Sequence, residues 1–203
     1  MPVKTTTTHG KRSFGPVSER REHLVRLAAG LFAEKGFQAT TVRDIAREAG
    51  ILSGSLYHHF DSKESIVDEI LSGFLDEVMT AYRRVVEAHR DPRETLAELI
   101  RAACDALEPH RAAITVMQND WCRLQAMERF AYLTEAEAEA EALWVGTIRE
   151  GQRAGLFRAD VDAGLTYLML RDSIWASVRR RRADTRGLAD HCLKVMFDGL
   201  VVP

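Results

Sequence analysis

The chain has 203 residues, of which 46% are hydrophobic and 29% charged, and its formal net charge is −2. This is a soluble globular composition, long enough for one or two domains. No segment is apolar for about 18 residues and the N-terminus lacks the apolar core of a signal peptide, so we expect a cytoplasmic protein without a membrane span. The three cysteines are odd in number and far apart, which argues against a disulfide framework or a C-x-x-C metal site.

Positive charge is concentrated towards the N-terminus. Residues 1–64 contain ten Lys and Arg against seven Asp and Glu, whereas residues 65–203 contain eighteen against twenty-three. Four of the seven histidines also lie in the first part. Because phosphate binding requires a positive surface, this asymmetry favours contact with nucleic acid at the N-terminal end.

Residues 1–17 mix threonine, glycine, proline and basic residues without a helical or strand period, which predicts a disordered arm. Either this arm contacts the minor groove or the backbone of DNA, or it is a tail without a binding role. From Ser18 to Lys35 apolar residues recur at helical spacing, and Gly36 ends the run. We therefore predict the first helix over this range.

Residues 40–64 predict two short helices joined by a glycine turn, which is a helix-turn-helix. Thr41 and Asp44 form a capping box that begins the first of these helices, and Gly50 supplies the turn. Ser53 can cap the second helix, whose outward face lacks acidic residues and suits a phosphate-lined groove. That face carries Ser55, Tyr57, His58 and His59. The plainer alternative, a helical hairpin with a solvated polar face, is disfavoured by the spacing of the small and apolar residues.

The predicted DNA contacts divide into base reading and backbone binding. We expect Ser55, Tyr57 and His58 to enter the major groove, with phosphate contacts mainly from Thr40, Arg43, His59 and Lys63, and we include Thr41, Ser53 and Gly54 in the interface. Thr40 is expected to hold a phosphate oxygen with its hydroxyl or amide at a helix N-terminus. Asp61 and Glu64 are expected to form a second capping box, which leaves Lys63 pointing outward as a phosphate clamp.

Residues 18–75 resemble the TetR-type transcriptional repressors, whose signature is a three-helix unit with Tyr-x-x-Phe before an acidic-Ser-Lys-Glu helix start. Tyr57, Phe60 and the Ser-Lys-Glu at 62–64 match this signature. Within the family, residues 39–75 are most similar to the actinobacterial repressors of steroid ring catabolism, of the KstR type. The predicted fold is all-α, with an N-terminal three-helix helix-turn-helix domain and a C-terminal helical bundle that includes a dimerising helix pair.

Helical periods continue through the rest of the chain. One long helix from Asp61 to about Val86 links the DNA reader to the remainder, and further helices are expected to begin at Asp91, Pro109 and Asp160. The alternating Glu–Ala segment 135–142 is predicted to be helical, with a solvated face and no carboxylate site, and Gly155 is a stop signal.

The last two helices are apolar on more than one side, which suggests that they are buried between subunits, and the resemblance implies a four-helix dimer interface. We therefore divide the chain into a flexible arm at 1–17, a helix-turn-helix DNA-binding domain at 18–64, and an effector-binding and dimerisation domain at 65–203.

Seven residues of the C-terminal part are predicted to contact a small effector: Phe74, Val78, Trp121, Trp144, Leu168, Arg171 and Trp175. Arg171 interrupts an apolar run and lies one turn from Trp175. Either it forms a salt bridge within the bundle or across a dimer interface, or it binds a carbonyl, carboxylate or phosphate of the effector while Trp175 packs on the apolar body. The arginine run 179–182 is either a solvated helix end or a contact for coenzyme A phosphates. With the resemblance, these features favour an acyl-CoA thioester of a partly degraded steroid.

The leading interpretation is a homodimeric repressor that binds double-stranded operator DNA and is released by an effector that displaces the long helix near Phe74 and Val78. The alternatives are a TetR-type repressor of another regulon, such as fatty acid metabolism or efflux, with a different apolar effector, and a DNA-binding protein without an effector. An enzyme is disfavoured because the sequence has no Gly-rich phosphate loop, nucleophile elbow, metal-ligand cluster or paired catalytic carboxylates at motif spacing. No cofactor is expected.

Overall fold

The computed structural model describes residues 16–88, 90–179 and 185–200, and over these residues the fold is all-α, as predicted. The helices are α1 (Pro16–Lys35), α2 (Val42–Glu48), α3 (Ser53–Leu56), α4 (Lys63–Glu87), α5 (Pro92–Asp105), α6 (Arg111–Leu124), α7 (Tyr132–Arg153), α8 (Ala163–Arg179) and α9 (Thr185–Leu200), with a 3-10 turn at Glu128–Phe130. No helix in the described part is long and apolar enough to cross a membrane. The predicted arm at 1–17 lies outside the described residues except for its last two, which belong to α1.

The helix-turn-helix forms where local sequence predicts it. The Thr41 hydroxyl accepts from the Asp44 amide, and the Asp44 carboxylate accepts from the Thr41 amide, so the predicted capping box begins α2. The hydrogen bonds from Thr41 hold the pKa of the Asp44 carboxyl below its usual range. Gly50 has a φ of 64°, a left-handed conformation that glycine adopts without Cβ strain, and it turns the chain into α3.

Two predicted caps in the helix-turn-helix are wrong. The residue before α3 is Leu52, and no side chain caps this helix, because Ser53 is already its first helical residue. The capping box of α4 is formed by Ser62 and Ser65 instead of Asp61 and Glu64. The extended residue that precedes the helix is Ser62, so Asp61 lies one position too far from the first free amides.

Two of the later helices begin two residues after the predicted position, and the first of them is α6, which begins at Arg111 instead of Pro109. Asp91 caps α5 as predicted, and Gly155 follows the end of α7 with a φ of 71°. The cap of α8 is Asp162, whose carboxylate accepts from the Leu165 amide at 2.7 Å, whereas Asp160 pairs with Arg158. The Glu–Ala segment lies inside α7, so its helical prediction is confirmed.

One hydrophobic core runs from α1 to α9. Helix α4 packs against α1 at its N-terminal end and against α5, α6 and α7 further along, while α6 packs against both α1 and α8. Within the described residues, α4 and α6 therefore both contact the helix-turn-helix unit and the C-terminal bundle. The division into domains at residue 64 remains a prediction, since α4 continues through it.

Candidate DNA-reading face and effector cavity

Helix α3 and the turn after it present a polar and aromatic surface. Tyr57 and His58 are exposed, Ser55 and His59 are half-buried, and Ser53 and Gly54 lie in the same short helix. Next to them the Leu52 side chain is 81% exposed. An isolated apolar side chain on a polar face suits contact with a thymine methyl group. The predicted interface did not include Leu52.

Arg21 fixes the position of this surface. Its guanidinium donates to the His59 carbonyl and to the Glu69 carboxylate of α4, with Nη2 at 2.7 Å from Oε2. The same guanidinium lies 4.2 Å from the centre of the Phe60 ring. The end of the reading turn is thereby attached to α1 and α4, so movement of either helix changes its position.

Thr40 is not available for a phosphate, contrary to the prediction. Its hydroxyl donates to the Gly36 carbonyl at 2.9 Å and lies 3.3 Å from the Leu31 carbonyl, and its amide donates to Gly36 at 3.3 Å. The side chain is fully buried. The hydroxyl and the amide both serve to close the α1–α2 connection.

The sequence suggested that Lys63 points outward, but in the structure it does not. Its ammonium group donates to the Phe37 carbonyl at 2.8 Å and to the Thr40 carbonyl at 3.3 Å, and it lies 4.3 Å from the centre of the Phe37 ring. The carbonyl groups of the α1–α2 connection attract the cation. Arg43, which is predicted to contact phosphates, is exposed, and so is Thr41, the residue that caps α2.

The C-terminal bundle encloses a cavity of about 420 Å3 between α4, α5, α6, α7 and α8. Six of the seven predicted effector residues line it: Phe74, Val78, Trp121, Trp144, Arg171 and Trp175. Leu168 does not line the cavity and is 38% exposed, so that prediction is wrong. Tyr167 lies on the inward face of α8. Leu168 follows it and is rotated by about 100° around the helix axis, so it lies outside the cavity wall.

Aromatic rings form much of the cavity wall. The Trp144 ring meets Tyr82 edge-on at 5.6 Å between ring centres and Tyr167 at 5.9 Å. Burial raises the pKa of both tyrosines, so their hydroxyl groups remain neutral. Neither tyrosine was predicted from the sequence. Tyr82 lies four residues after Val78 and Tyr167 four residues before Arg171, so each is about one helical turn from a predicted cavity residue. An apolar ring system fits such a wall.

Arg171 makes the salt bridge that was one of its two predicted alternatives, and it also lines the cavity. Its Nη1 lies 2.7 Å from Oε1 of Glu137, its Nη2 lies 3.0 Å from Oδ1 of Asp172, and its side chain is 22% exposed. The Glu–Ala segment, predicted to present a solvated face without a carboxylate site, thus forms two ion pairs, since Glu139 also pairs with Arg83 at 2.6 Å. The predicted contact at 179–182 falls outside the described side chains.

Asp120 connects the cavity wall to the DNA-reading unit. Its carboxylate accepts from the Phe37 amide at 3.3 Å, while Gln118 and Trp121 on the same helix line the cavity. The amide it holds belongs to the same connection whose carbonyl groups bind Lys63. Displacement of α6 by a ligand would therefore reach the helix-turn-helix directly, in addition to the predicted route through α4.

The outer surface of the last two helices carries a group of exposed apolar side chains, most of them on α8. Leu165, Met169 and Val195 are exposed by 62%, 71% and 57%, and Leu168 lies beside the first two. Singly exposed apolar residues are ordinary, but a group of them on consecutive helical turns indicates an interaction surface.

Comparison with known proteins agrees with this architecture. The family described as "Bacterial regulatory proteins, tetR family" matches residues 24–70, and "Tetracyclin repressor-like, C-terminal domain" matches residues 89–178. The repressor KstR2 of Rhodococcus jostii RHA1 is 47% identical over the whole of this chain and 98% of its own length. The chain belongs to the TetR family.

Solved structures share this fold at two levels of sequence identity. The ketosteroid transcriptional regulator KstR2 of Mycobacterium tuberculosis is 41% identical, with a TM-score of 0.88 over 95% of this chain and the whole of that one. AibR, solved with isovaleryl coenzyme A and operator DNA, shares the fold with a TM-score of 0.77 at 17% identity, over 89% of this chain and 99% of that one. The protein is therefore a TetR-family transcriptional repressor similar to KstR2.

Proposed function

We propose that the protein is a homodimeric repressor that binds a palindromic operator and leaves it when an acyl-CoA thioester of a partly degraded steroid enters the cavity. The main support is the aromatic-walled space of about 420 Å3, which is in the usual range of about 300–1,000 Å3 for small-molecule sites. The similarity to KstR2, which in Mycobacterium tuberculosis is a ketosteroid transcriptional regulator, favours a steroid-derived ligand.

The DNA-reading assignment follows the exposure of the side chains. Ser55, Tyr57 and His58 read base edges, and Leu52 contacts a thymine methyl group in the major groove. Contacts to the DNA backbone come from Arg43, the exposed cation of this group, and from Thr41, Ser53, Gly54 and His59.

The dimer assignment rests on the apolar outer surface of α8 and α9. A two-fold axis next to these helices buries Leu165 and Met169 against the same residues of the partner, which removes apolar area from water. A symmetric dimer presents two reading helices in opposite directions, so its operator is a palindrome.

The effector assignment combines the apolar wall with the polar edge of the cavity. The ring system packs on Trp144 and Trp175, and Arg171 lies where an acyl carbonyl group or a coenzyme A phosphate needs a cation. The complex of AibR with isovaleryl coenzyme A is a precedent for a ligand of this class on this fold.

The test first selects, from a random pool, DNA duplexes that bind the purified protein. Test thioesters are then titrated into the complex of the protein with a selected duplex. The test thioesters are coenzyme A esters of decalin propanoic acids, in which two fused rings stand for the undegraded part of a steroid. The free acids and coenzyme A alone are the controls. We expect palindromic duplexes and release of DNA by the thioesters only. Non-palindromic duplexes, or DNA binding that no thioester weakens, would contradict the proposal.

A further inference from the structure

Two adjacent carboxylates of α4 hold neighbouring helices on different sides. The Asp68 carboxylate accepts from the Tyr132 hydroxyl at 2.9 Å and pairs with Arg129 at 3.2 Å, so it connects α4 to the start of α7. The Glu69 carboxylate binds Arg21 of α1, with 2.7 Å between Oε2 and Nη2. Consecutive residues of a helix are rotated by about 100°, which is why the two carboxylates face different neighbours.

The Asp68 side of this pair reaches the effector cavity. Leu133 follows Tyr132 directly, is 1% exposed and lines the cavity. No side chain caps α7, so the bond from the Tyr132 hydroxyl to Asp68 is what fixes its first turn to α4. Burial and the neighbouring Asp68 carboxylate raise the pKa of Tyr132, so its hydroxyl stays a neutral donor. A ligand that displaces Leu133 therefore either moves Asp68 or breaks its bond to Tyr132.

The Glu69 side reaches the DNA-reading turn. The guanidinium of Arg21 that binds Glu69 also donates to the His59 carbonyl and lies 4.2 Å from the centre of the Phe60 ring. A shift of this part of α4 is thus passed through Arg21 to the residues that follow α3. Because His59 is one of the proposed backbone contacts, such a shift changes the fit to DNA.

The geometry of the Arg21–Glu69 pair suits positioning more than stability. Nε and Nη2 of Arg21 lie 2.9 and 2.7 Å from Oε2 of Glu69. A planar guanidinium held by two bonds keeps its orientation relative to the carboxylate. The two side chains are 40% and 36% exposed, and ion pairs that water reaches contribute little to stability. Loss of this pair should therefore change the position of the reading turn more than the Tm.

We propose that the Asp68–Glu69 pair is a joint through which the effector cavity controls the DNA-reading turn. Displacement of Leu133 by a ligand reaches Asp68 through Tyr132. Glu69 then moves Arg21, and with it the end of the reading turn. The inference rests on the proposed release of DNA by an effector, and it adds a contact at the start of α7 to the routes through the middle of α4 and through α6.

The test measures the coupling factor, which is the ratio of the operator dissociation constants with and without a saturating decalin propanoyl-CoA thioester. Fluorescence anisotropy gives both constants. Tyr132→Phe removes one hydroxyl group and keeps the ring. It is expected to leave the separate affinities for operator and thioester within twofold of wild type. The coupling factor should fall by about fivefold, within the roughly 2- to 30-fold range of mutations along coupling networks.

Two other variants test whether the effect belongs to the joint. Arg83→Ala is the matched control, because Arg83 also connects α4 to α7, at 2.6 Å from Glu139, but lies about 22 Å further along α4 from Asp68. It is expected to leave the coupling factor unchanged. Glu69→Ala should lower the coupling factor, and the double variant with Tyr132→Phe should lower it no further than the more affected single variant, since links in series are not additive.

A second measurement needs no effector. By linkage, a contact through which the ligand acts on the reading turn also lets operator DNA act on the start of α7. We expect operator binding to slow the amide hydrogen exchange of residues 132–138 in the wild type, and to have less effect in Tyr132→Phe.

The outcomes separate the joint from the proposed effector. If thioesters release DNA from wild type and Tyr132→Phe with the same coupling factor, or if Arg83→Ala lowers it equally, the joint is refuted and the effector proposal stands. If no thioester weakens operator binding, the effector proposal fails and hydrogen exchange in the wild type decides: protection at the start of α7 supports the joint, and no protection refutes it. The same wild-type measurement decides if Tyr132→Phe does not fold.

Discussion

Replacing Arg171 by alanine tests whether this residue holds the effector or only supports the bundle. The guanidinium pairs with Glu137 and Asp172, whose side chains are 39% and 69% exposed. The Arg171 side chain is only 22% exposed, but both carboxylates remain in contact with water, and pairs that water reaches contribute about 0.2–1 kcal/mol each. The loss of stability should therefore stay below about 2 kcal/mol, and each 1 kcal/mol lowers the Tm of a chain of this size by about 2–4 °C.

The effect on ligand binding should be larger. A hydrogen bond to a charged group contributes about 1.5–3 kcal/mol, which corresponds to roughly 10- to 100-fold in affinity. Isothermal calorimetry with a test thioester and its free acid measures this loss. If Arg171 binds the coenzyme A part, the variant lowers the affinity for the thioester and has little effect on the free acid.

Arg83→Ala is the matched control. Arg83 also joins its helix to α7, through two bonds of 2.6 and 2.7 Å to Glu139, but neither residue lines the cavity. Its loss is expected to destabilise the protein by a similar amount and to leave effector affinity unaltered. Equal affinity of wild type, Arg171→Ala and Arg83→Ala for the thioester would remove Arg171 from the binding site.

Three further predictions concern coupling, DNA contacts and the dimer. Asp120→Ala should keep effector affinity but weaken the release of DNA in a fluorescence anisotropy titration, and undiminished release would exclude the α6 route. Arg43→Ala should flatten the salt dependence of DNA binding by about one unit of slope, whereas Lys63→Ala should mainly lower the Tm; the opposite pattern would reverse the two roles. Met169→Glu should give monomers in sedimentation and abolish tight binding to the palindrome, and a dimer of unchanged stability would move the interface elsewhere.

The sequence predicted features that depend on neighbouring residues. The capping box at Thr41 and the glycine turn at Gly50 are set by contacts within a few positions, and both are confirmed. Five of the six cavity residues were predicted because large apolar side chains recur at helical spacing, and Arg171 because it interrupts an apolar run. The prediction for Leu168 was wrong because the rotation of α8 about its axis depends on packing against other helices.

Contacts between distant segments were beyond the sequence. Thr40 and Lys63 look available for phosphate, but their partners are carbonyl groups that only the folded α1–α2 connection brings together. Asp120 accepts from Phe37 across 83 positions.

The most direct test of the account is the affinity of one test thioester for the protein alone and for the protein bound to its selected operator. Linkage requires that effector and operator weaken each other by the same factor, and such couplings are typically about 5- to 150-fold. We expect the operator to weaken thioester binding by the same factor by which the thioester weakens operator binding. Equal affinity for the free and the DNA-bound protein would contradict release by the effector.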